Sequence, residues 1–595
     1  MPRVTFSKIY AYIFTKYRYI FVSVDTRRIM KTPLQLTRIG ILLAAGVCVC
    51  TLTYSARSQD REDRALASAQ RLVAAKRSMR GQRANLSIGL LEQLAKDSPT
   101  DGDIVYRKAL ALGASKKYPE AIVAYKRAME LGATSPKFVA NCYYDLACCY
   151  AQTGDLESAM TNLEKAVELG FRDIKHVQVD TDLIPLHSNP KWESISAAKD
   201  TSKMGRTEGL KYDLWFLNRE LRRIHYRFDN QFSASAFDAQ VAKISDGIPN
   251  WEDERVFMEM RKLMVMANDG HTNLWVLMDG NRPPFDLEMF DDGIHVLGAK
   301  PGFERLLGKA VVAVNDIPSD EFIKRFGKWV SKDNDMGPIN ALSFYGTNTS
   351  FLFGAGIIPS KDHLTVTFMS EDGTTSRETF DCNKTNQATV SPIKDSSKIL
   401  WLKKSRVPYW EEMIPNTNTL FFQYNSVTNE QNEPINTFAE NLIKIASDNK
   451  AERLIIDLRH NGGGNNQTYR HLLRTLARSK FNELGRLFVI VGRRTFSAAQ
   501  CFATELERDT DAIFVGEPTG SSPNFIGEAV PITLPYSKAM GVISDLYWQK
   551  GQSYDFRKWI SPEIHALNTY QEYAMGKDVA VEAILKYPLP NKVGE

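Results

Sequence analysis

Apolar and polar positions change their period several times along the chain, and each change predicts a different kind of element. Between about residues 65 and 199, apolar residues recur at helical spacing. From 285 to about 383 they come in short runs separated by turns, which is typical of strands. Beyond Leu400, strand-type runs such as 419–424 alternate with helical stretches. This alternation predicts an α/β core after the helical and β-rich regions.

The first helical region contains a repeat. Alanines occupy matched places in two successive units, namely Ala109, Ala121 and Ala128 in the first and Ala147, Ala159 and Ala166 in the second. A helix-turn-helix unit of about 34 residues with small residues at fixed places is typical of tetratricopeptide repeats. We predict such repeats over residues 60–200. They would offer a concave surface to a protein partner, or alternatively act as a spacer.

The N-terminal part of the chain predicts targeting. Residues 39–53 are apolar, Lys31 and Arg38 precede them, and small residues follow. This pattern predicts a signal peptide or a short membrane anchor over 30–59. Because Met30 would begin a better proportioned signal peptide than Met1, residues 1–29 are predicted to be an upstream extension. Export to the periplasm or the extracellular space follows, with anchoring by one transmembrane segment as the alternative.

Composition excludes several functions. The net charge of +5 is small for 595 residues, and no basic stripe is interleaved with aromatic residues, so nucleic acid is not expected as a partner. The nine histidines and seven cysteines form no Cys-x-x-Cys or His-Glu-x-x-His pattern, so we expect no metal site. Five cysteines follow the apolar run and are expected to be free core residues: Cys142, Cys148, Cys149, Cys382 and Cys501.

The candidate chemistry lies in residues 453–507. A strand run at 454–456 ends in a turn with three glycines, and a second strand run at 487–491 precedes Ser497, which opens a helical pattern. A serine at a helix N-terminus places its hydroxyl beside free N–H groups. Those of Gly463 or Gly464 together with that of Ala498 would form an oxyanion hole. The same spacing also fits a capping serine after a tight crossover turn.

Three segments together carry a family resemblance: Asp457-Leu-Arg-His-Asn-Gly-Gly, Thr495-Phe-Ser-Ala-Ala and Val515-Gly-Glu-Pro-Thr-Gly. They resemble the tail-specific (C-terminal processing) serine peptidases, in the tricorn-like and retinoid-binding-protein-like branches, over about residues 205–590. The resemblance implies a Clp-peptidase/crotonase-like spiral core at 395–595, preceded by a helical part at 205–284 and a PDZ-like module at 285–390. It also implies a polypeptide substrate and no cofactor.

The resemblance further implies a set of site residues. Ser497 corresponds to the nucleophile, and Asp-Gly-His-Thr resembles the segment that supplies the general base, here His271. The register where some members carry a lysine base holds Ser522. A Ser-His-carboxylate mechanism is therefore expected, with Asp555 as the acid and Glu563 as its alternative. Other readings are a noncatalytic binder of peptides or apolar ligands on the same fold, or an esterase with the same triad.

Overall fold

The computed structural model describes residues 88–590, apart from 229–232, 385–387 and 397–398, together with scattered positions between 63 and 73. The upstream extension and the signal peptide or anchor, predicted for residues 1–59, lie outside the described residues. Within the described part, no helix has the length and apolar character needed to cross a membrane. The chain divides into two compact units, the first ending at Ser135 and the second beginning at Pro136.

The first unit contributes the beginning of the predicted repeats. Between residues 88 and 135, its helices are α1 (Ile88–Asp97), α2 (Gly102–Ala114) and α3 (Tyr118–Leu131). Asp101 caps α2 by accepting a hydrogen bond from the Ile104 N–H at 3.2 Å. The predicted alanines of this unit are completely buried, because small side chains let paired helices approach closely.

The second unit begins with the continuation of the repeats. It opens with α4 (Phe138–Thr153), α5 (Leu156–Glu168) and α6 (Ile174–Val179), then a 3₁₀ helix (Thr181–Leu186) and α7 (Trp192–Ser196). The matched alanines of α4 and α5 are again completely buried. The five cysteines predicted to be core residues are free and buried.

Three longer helices follow and lead to a short strand. They are α8 (Arg206–Ile224), α9 (Ala234–Gly247) and α10 (Asp253–Val265), and the strand is β1 (Asn273–Trp275). The buried face of α10 includes Met260 and Met264, which lie at helical spacing. The segment between α10 and β1 carries His271 and therefore starts from a firmly packed helix.

An antiparallel sheet makes up the β-rich region. Its strands are β2 (Phe285–Phe290), β3 (Gly293–Ala299), β4 (Ala310–Val314), β5 (Ile317–Pro318), β6 (His363–Met369) and β7 (Thr375–Asp381). The order is β2-β3-β4-β6-β7, with β5 paired to β4. A 3₁₀ turn at Glu304–Leu306 lies between β3 and β4. Between β5 and β6, the chain forms the helices α11 (Ser319–Gly327), α12 (Met336–Tyr345) and α13 (Thr349–Gly354). The sheet agrees with the strands predicted here, and the PDZ-like identity stays a prediction.

The remaining strands build the core and two small sheets. They are β8 (Tyr409–Met413), β9 (Thr419–Tyr424), β10 (Arg453–Asp457), β11 (Leu487–Val491), β12 (Ile513–Gly516), β13 (Asn524–Gly527), β14 (Val530–Thr533), β15 (Met540–Ile543), β16 (Leu546–Gln549) and β17 (Ile564–His565). The core sheet has the order β17-β12-β11-β10-β9-β8 and is parallel except for β8. The small sheets are β1-β15-β14 and β13-β16.

Helices of the core flank this sheet, and their bounds complete the description: α14 (Leu400–Lys403), α15 (Ile435–Asp448), α16 (Arg470–Ala477), α17 (Ala498–Asp509), α18 (Tyr570–Ala574) and α19 (Val579–Lys586). Strands β9 to β12 are buried along their whole length, which explains their near-continuous apolar runs. Because β10 and β11 are parallel neighbours, the turns that follow them lie at the same edge of the sheet. The α/β alternation predicted from the sequence is confirmed.

Arg459 ties the turn after β10 to a helix at the far end of the chain. Its guanidinium donates to Asp457 Oδ2 at 2.9 Å and to Asp578 Oδ2 at 2.9 Å. Asp578 also caps α19 through the Val581 N–H at 3.1 Å. Asp457 is completely buried, so its charge depends on this partner. The expectation that Arg459 clamps carboxylates agrees with these contacts.

We predict that Arg459→Leu lowers the free energy of unfolding of the core by about 3–5 kcal/mol, because it leaves the buried Asp457 carboxylate without its partner. Arg377→Leu is the matched control, since Arg377 and Asp316 form an ion pair with 59% and 69% of the side chains exposed. That variant should change the free energy by no more than about 1 kcal/mol. Chemical denaturation followed by tryptophan fluorescence measures both. Equal effects of the two substitutions would contradict the clamp.

Candidate active site

Asn461 holds the glycine turn in place. Its side chain is completely buried; Nδ2 donates to the carbonyl of Tyr424 at 2.8 Å, and Oδ1 accepts from the Gly463 N–H at 2.9 Å. Tyr424 ends β9, the neighbour of β10 in the sheet. One amide side chain therefore joins the ends of two strands and sets the course of the turn.

The serine turn is attached to the glycine turn by hydrogen bonds. Thr495 Oγ1 donates to the carbonyl of Leu458 at 2.9 Å, and the Phe496 N–H donates to the carbonyl of Asn461 at 3.1 Å. Ser497 itself has φ 54° and ψ −124°, a conformation that non-glycine residues rarely adopt. It precedes the first residue of α17, and its side chain makes no capping hydrogen bond. The capping alternative is therefore not what this structure contains.

Gly463 packs closely against Ser497 and Ala498. A Cβ atom at position 463 would lie 2.7 Å from Ser497 Cβ and 2.9 Å from the Ala498 nitrogen. Gly463 also has φ +112°, which side chains disfavour. Only glycine fits this position, for reasons of both space and conformation.

One of the three predicted oxyanion donors already has a hydrogen-bond partner within the protein. The Gly463 N–H already donates to Asn461, so its assignment as a donor to substrate is corrected. Around Gly464, the Val427 N–H donates to the Gly463 carbonyl at 2.9 Å and the Asn465 N–H donates to the Val427 carbonyl at 2.7 Å, which leaves the Gly464 N–H outside this bridge. Ala498 is the first residue of α17, where an N–H has no partner within the helix. Gly464 and Ala498 are thus the better placed pair.

The backbone that carries His271 is fixed by a buried carboxylate. Asp269 Oδ1 accepts from the His271 N–H at 2.8 Å, from the Thr272 N–H at 2.6 Å and from Ser544 Oγ at 2.8 Å. Its other oxygen lies 3.0 Å from His225 Nε2. Burial opposes the charge, but the hydrogen bonds from His225 and Thr272 lower the pKa of Asp269 below its ordinary value.

A second carboxylate, that of the half-buried Asp333, supports the same loop. It accepts from the Gly270 N–H at 2.6 Å and from the Ser521 hydroxyl. Burial raises the pKa of Asp333 to about 7, with a smaller contribution from the charge of Asp269. Sequence reasoning missed Asp333 and Ser521, since neither belongs to a motif; the position of Ser521 shortly after the Glu-Pro-Thr-Gly segment was the only available signal.

The His271 ring lies between two phenylalanines. Its centroid is 4.4 Å from that of Phe496 and 5.3 Å from that of Phe525, and the rings are stacked. Both ring nitrogens are buried and, within the described residues, neither has a hydrogen-bond partner. Burial lowers the pKa of His271 to about 4, although the charge of Asp269 acts in the opposite direction. The imidazole is therefore neutral at physiological pH.

Ser497 and His271 line the same cleft, which has a volume of about 350 Å³. Gly464 and Ala498 line it as well, so the structure brings together a hydroxyl, a neutral imidazole and two candidate N–H donors. The other lining residues are Asn465, Asn466, Cys501, Phe525, Glu528, Ala529 and Trp548. Glu528 is a carboxylate that the sequence analysis did not single out.

The two predicted carboxylates are not brought to the imidazole. Asp555 Oδ1 accepts from Arg557 Nε at 3.0 Å, and the same guanidinium binds Glu507. Glu563 Oε2 accepts from the Phe514 N–H at 2.7 Å, at the core sheet. Neither residue lines the cleft or bonds to His271 in the part of the chain that the structure describes. The expectation that Asp555 or Glu563 orients the imidazole is not met by this arrangement.

The groups that line the cleft are those of nucleophilic catalysis. They are a hydroxyl, an imidazole and backbone amides, which can add a nucleophile to a carbonyl group and stabilise the resulting oxyanion. Across the described ranges, no three histidine, cysteine or acidic side chains come together in a way that could hold a metal ion.

Two regions of the sequence match known families. Residues 419–565 match peptidase family S41, and residues 103–169 match the tetratricopeptide repeat. The first match includes the glycine turn and the serine turn, and confirms the family resemblance predicted from them. The second covers α2 to α5 and confirms the predicted repeats.

Individual similar proteins were also found. A chloroplastic protein of Arabidopsis thaliana is 26% identical over 96 residues, which are 16% of this chain and 28% of that protein. Among solved structures, mature CPAF complexed with lactacystin aligns with 64% of this chain and 97% of its own, at 12% identity and a TM-score of 0.44. The photosystem II D1 C-terminal processing protease aligns with 60% and 92%, at 13% identity and a TM-score of 0.29.

We predict that Gly463→Ala lowers the reactivity of Ser497 by at least about tenfold, because the new methyl group meets Ser497 and Ala498. The neighbouring Gly462→Ala is the control, since a Cβ at that position has no atom within 4 Å. The rate of labelling by a fluorophosphonate probe reports the hydroxyl, and thermal unfolding reports the fold. If both alanine variants react alike, the contact between the two turns does not govern the site.

Proposed function

We propose that this chain, a member of peptidase family S41 with tetratricopeptide repeats ahead of its peptidase region, hydrolyses peptide bonds of a polypeptide through an acyl-enzyme on Ser497. One observation carries the proposal: Ser497 and His271, from remote parts of the chain, line one cleft together with the Gly464 and Ala498 amides. A capping serine or a solvent-facing loop histidine would not require this convergence.

The reaction proceeds in two halves. Ser497 Oγ attacks the carbonyl carbon of the scissile bond while a ring nitrogen of His271 takes the hydroxyl proton. The Gly464 and Ala498 N–H groups donate to the oxygen on which negative charge develops. The intermediate then expels the amine, which receives the proton from the imidazolium. Water, activated by the same imidazole, releases the acid and restores the Ser497 hydroxyl.

Before the first step, the His271 imidazole has to form a hydrogen bond with Ser497 Oγ. The imidazole is neutral and can accept a proton, but its nitrogens make no hydrogen bond among the described residues. In the proposed mechanism the ring moves from its stacked position against Phe496 and Phe525 to bond Ser497 Oγ. Hydrogen bonds of catalytic groups commonly tighten only when substrate is bound. Asp269 holds the backbone of the loop during this movement.

A noncatalytic binder is the second candidate function. The observation that favours it is that, within the described residues, the His271 ring donates no hydrogen bond to a carboxylate. Without such a bond, nothing fixes the tautomer or stabilises the imidazolium. An esterase remains the third reading, because the same groups act on acyl esters.

Other expectations from the sequence stay proposals. Export, with or without anchoring by residues 30–59, is testable by N-terminal sequencing of the exported protein. Binding of a protein partner by the repeats is testable with the full chain in a pull-down. The PDZ-like character of the sheet formed by β2 to β7 is likewise a proposal.

We predict that a fluorophosphonate probe labels the protein and that Ser497→Ala abolishes labelling. His271→Ala should reduce the labelling rate by about 10²–10⁴-fold, since general-base catalysis is worth that much. Ser522→Ala is the matched control, because the Ser522 hydroxyl donates to the Lys558 carbonyl at 3.0 Å, away from the cleft. Labelling is measured by gel fluorescence on protein shown to be folded by circular dichroism.

Two outcomes would redirect the assignment. Folded wild-type protein that is never labelled, or labelling that persists in Ser497→Ala, would remove the nucleophile and favour the binder. Labelled protein that cleaves short acyl esters but neither casein nor a peptide library would be an esterase.

We predict that the acidic limb of the labelling rate has an apparent pKa well below 6.5, toward about 4. Burial lowers the pKa of His271 to about 4. The imidazole therefore stays unprotonated as the pH falls through 6, and it becomes protonated, and unable to act as a base, only near pH 4. Labelling rates from pH 3.5 to 8 give the profile. Asp333→Asn serves as the control, since the pKa of Asp333 is raised to about 7. A limb near pH 6.5–7 that persists in this variant would contradict the assignment.

A further inference from the structure

A groove separate from the Ser497 cleft lies within the second unit. It has a volume of about 810 Å³. One wall comes from the segment after the repeats, including α6 and residues 197–201, and the other from residues 529–535 of the β14–β15 hairpin. Neither the family resemblance nor the proposed catalytic steps use this groove.

The hairpin presents a free strand edge. The sheet order β1-β15-β14 places β14 at the edge. The Leu534 N–H donates to the Ala539 carbonyl at 2.8 Å, and Ile532 pairs with Gly541 in the same register. Because bonded and non-bonded pairs alternate in an antiparallel ladder, the main-chain groups of Pro531 and Thr533 point away from β15.

These outward groups form an incomplete ladder. Thr533 offers an N–H and a carbonyl, whereas Pro531 offers a carbonyl alone. A proline at this register costs no hydrogen bond to β15 and is typical of edge strands. It also limits indiscriminate pairing of the edge, since one donor is missing. An added strand would thus bond to β14 through one N–H group and two carbonyls.

The groove and the Ser497 cleft share one lining residue. Ala529 lines both, and Glu528 before it lines the cleft. A strand rises about 3.3 Å per residue, so β14 from Val530 to Thr533 covers roughly 10 Å of edge, and Ala529 comes directly before it. An extended segment of about four residues therefore covers this edge up to the residue that also lines the cleft.

The opposite wall is held at a fixed distance from the hairpin. Lys175 Nζ donates to Thr533 Oγ1 at 3.0 Å, and Thr201 Oγ1 donates to the Pro535 carbonyl at 3.0 Å. Arg172 is held by Asp545 through two bonds of 2.7 Å. Side chains of both charges and small alanines line the space, which suits recognition of a main chain more than of one particular side chain.

We propose that this groove binds an extended segment of the substrate polypeptide as an added strand on β14 and leads it to Ser497. The inference rests on the proposed peptidase function and states which part of the substrate is recognised: unfolded main chain beyond the scissile bond. The segment that follows the repeats acts as the outer wall of the groove. Long unstructured polypeptides are consequently bound better than short peptides.

The test measures binding without turnover. Full-length Ser497→Ala protein is titrated with fluorescein-labelled, reduced and carboxymethylated casein, and fluorescence anisotropy gives the dissociation constant. Ala198 is exposed at the groove, and Ala198→Trp should fill it and raise the dissociation constant by at least about tenfold. Ala239→Trp, at an exposed position of α9, is the matched control and should leave it unchanged.

A crosslinking measurement covers the case in which Ala198→Trp does not fold. Benzoylphenylalanine placed at position 198 should crosslink to casein on irradiation, and the same group at position 239 should not. Unchanged affinity in folded Ala198→Trp, or equal crosslinking at both positions, would overturn the groove.

The two proposals fail in different ways. If Ser497 is labelled but Ala198→Trp leaves casein binding unchanged, the groove proposal is rejected and the peptidase function is retained. Protein that binds casein in the groove but is never labelled loses the peptidase function and keeps the groove as a polypeptide site.

Discussion

The site depends on one packing constraint, the contact between the glycine turn after β10 and the serine turn after β11. The two strands are parallel neighbours, so both turns leave the sheet at one edge. The missing side chain of Gly463 lets Ser497 and the Ala498 amide approach as closely as they do. Asn461 keeps that approach in register, because it bonds at once to the end of β9 and to the Gly463 N–H. A hydroxyl and two amides are thereby positioned by the packing of the two turns and by the Asn461 side chain.

His271, the proposed base, is positioned differently, on a loop outside the core sheet. The buried Asp269 and the half-buried Asp333 accept hydrogen bonds from the N–H groups of residues 270–272, so the loop backbone is fixed by polar contacts. The His271 ring is fixed only by stacking against Phe496 and Phe525. A rigid backbone with a ring free of hydrogen bonds, as seen within the described residues, allows the imidazole to turn without moving the loop. In the proposed mechanism, this division lets the neutral imidazole engage the Ser497 hydroxyl when substrate binds.

Much of the core was predictable because buried parallel strands carry continuous apolar runs and end in recognisable turns. Ser497, Gly464, Ala498 and His271 were named from motifs, and the structure places all four around one cleft. Long-range polar partners were not predictable. Nothing in the sequence indicates that Asn461 would occupy the Gly463 amide, or that Arg557 would bind Asp555 and the Phe514 amide would bind Glu563. Asp333 was missed for the same reason, since its role depends on where α10 and β12 bring their following loops.

In this account, the substrate binds between the edge strand β14 and the segment that follows the repeats, and it extends from there to Ser497. The central claim is tested most directly by a crystal structure of the protein inhibited by a peptidyl phosphonate. The account predicts a covalent bond to Ser497 Oγ, a phosphonyl oxygen about 3 Å from the Gly464 and Ala498 nitrogens, and a His271 ring turned toward Oγ. A phosphonyl oxygen remote from both amides, with His271 still stacked between Phe496 and Phe525, would contradict it.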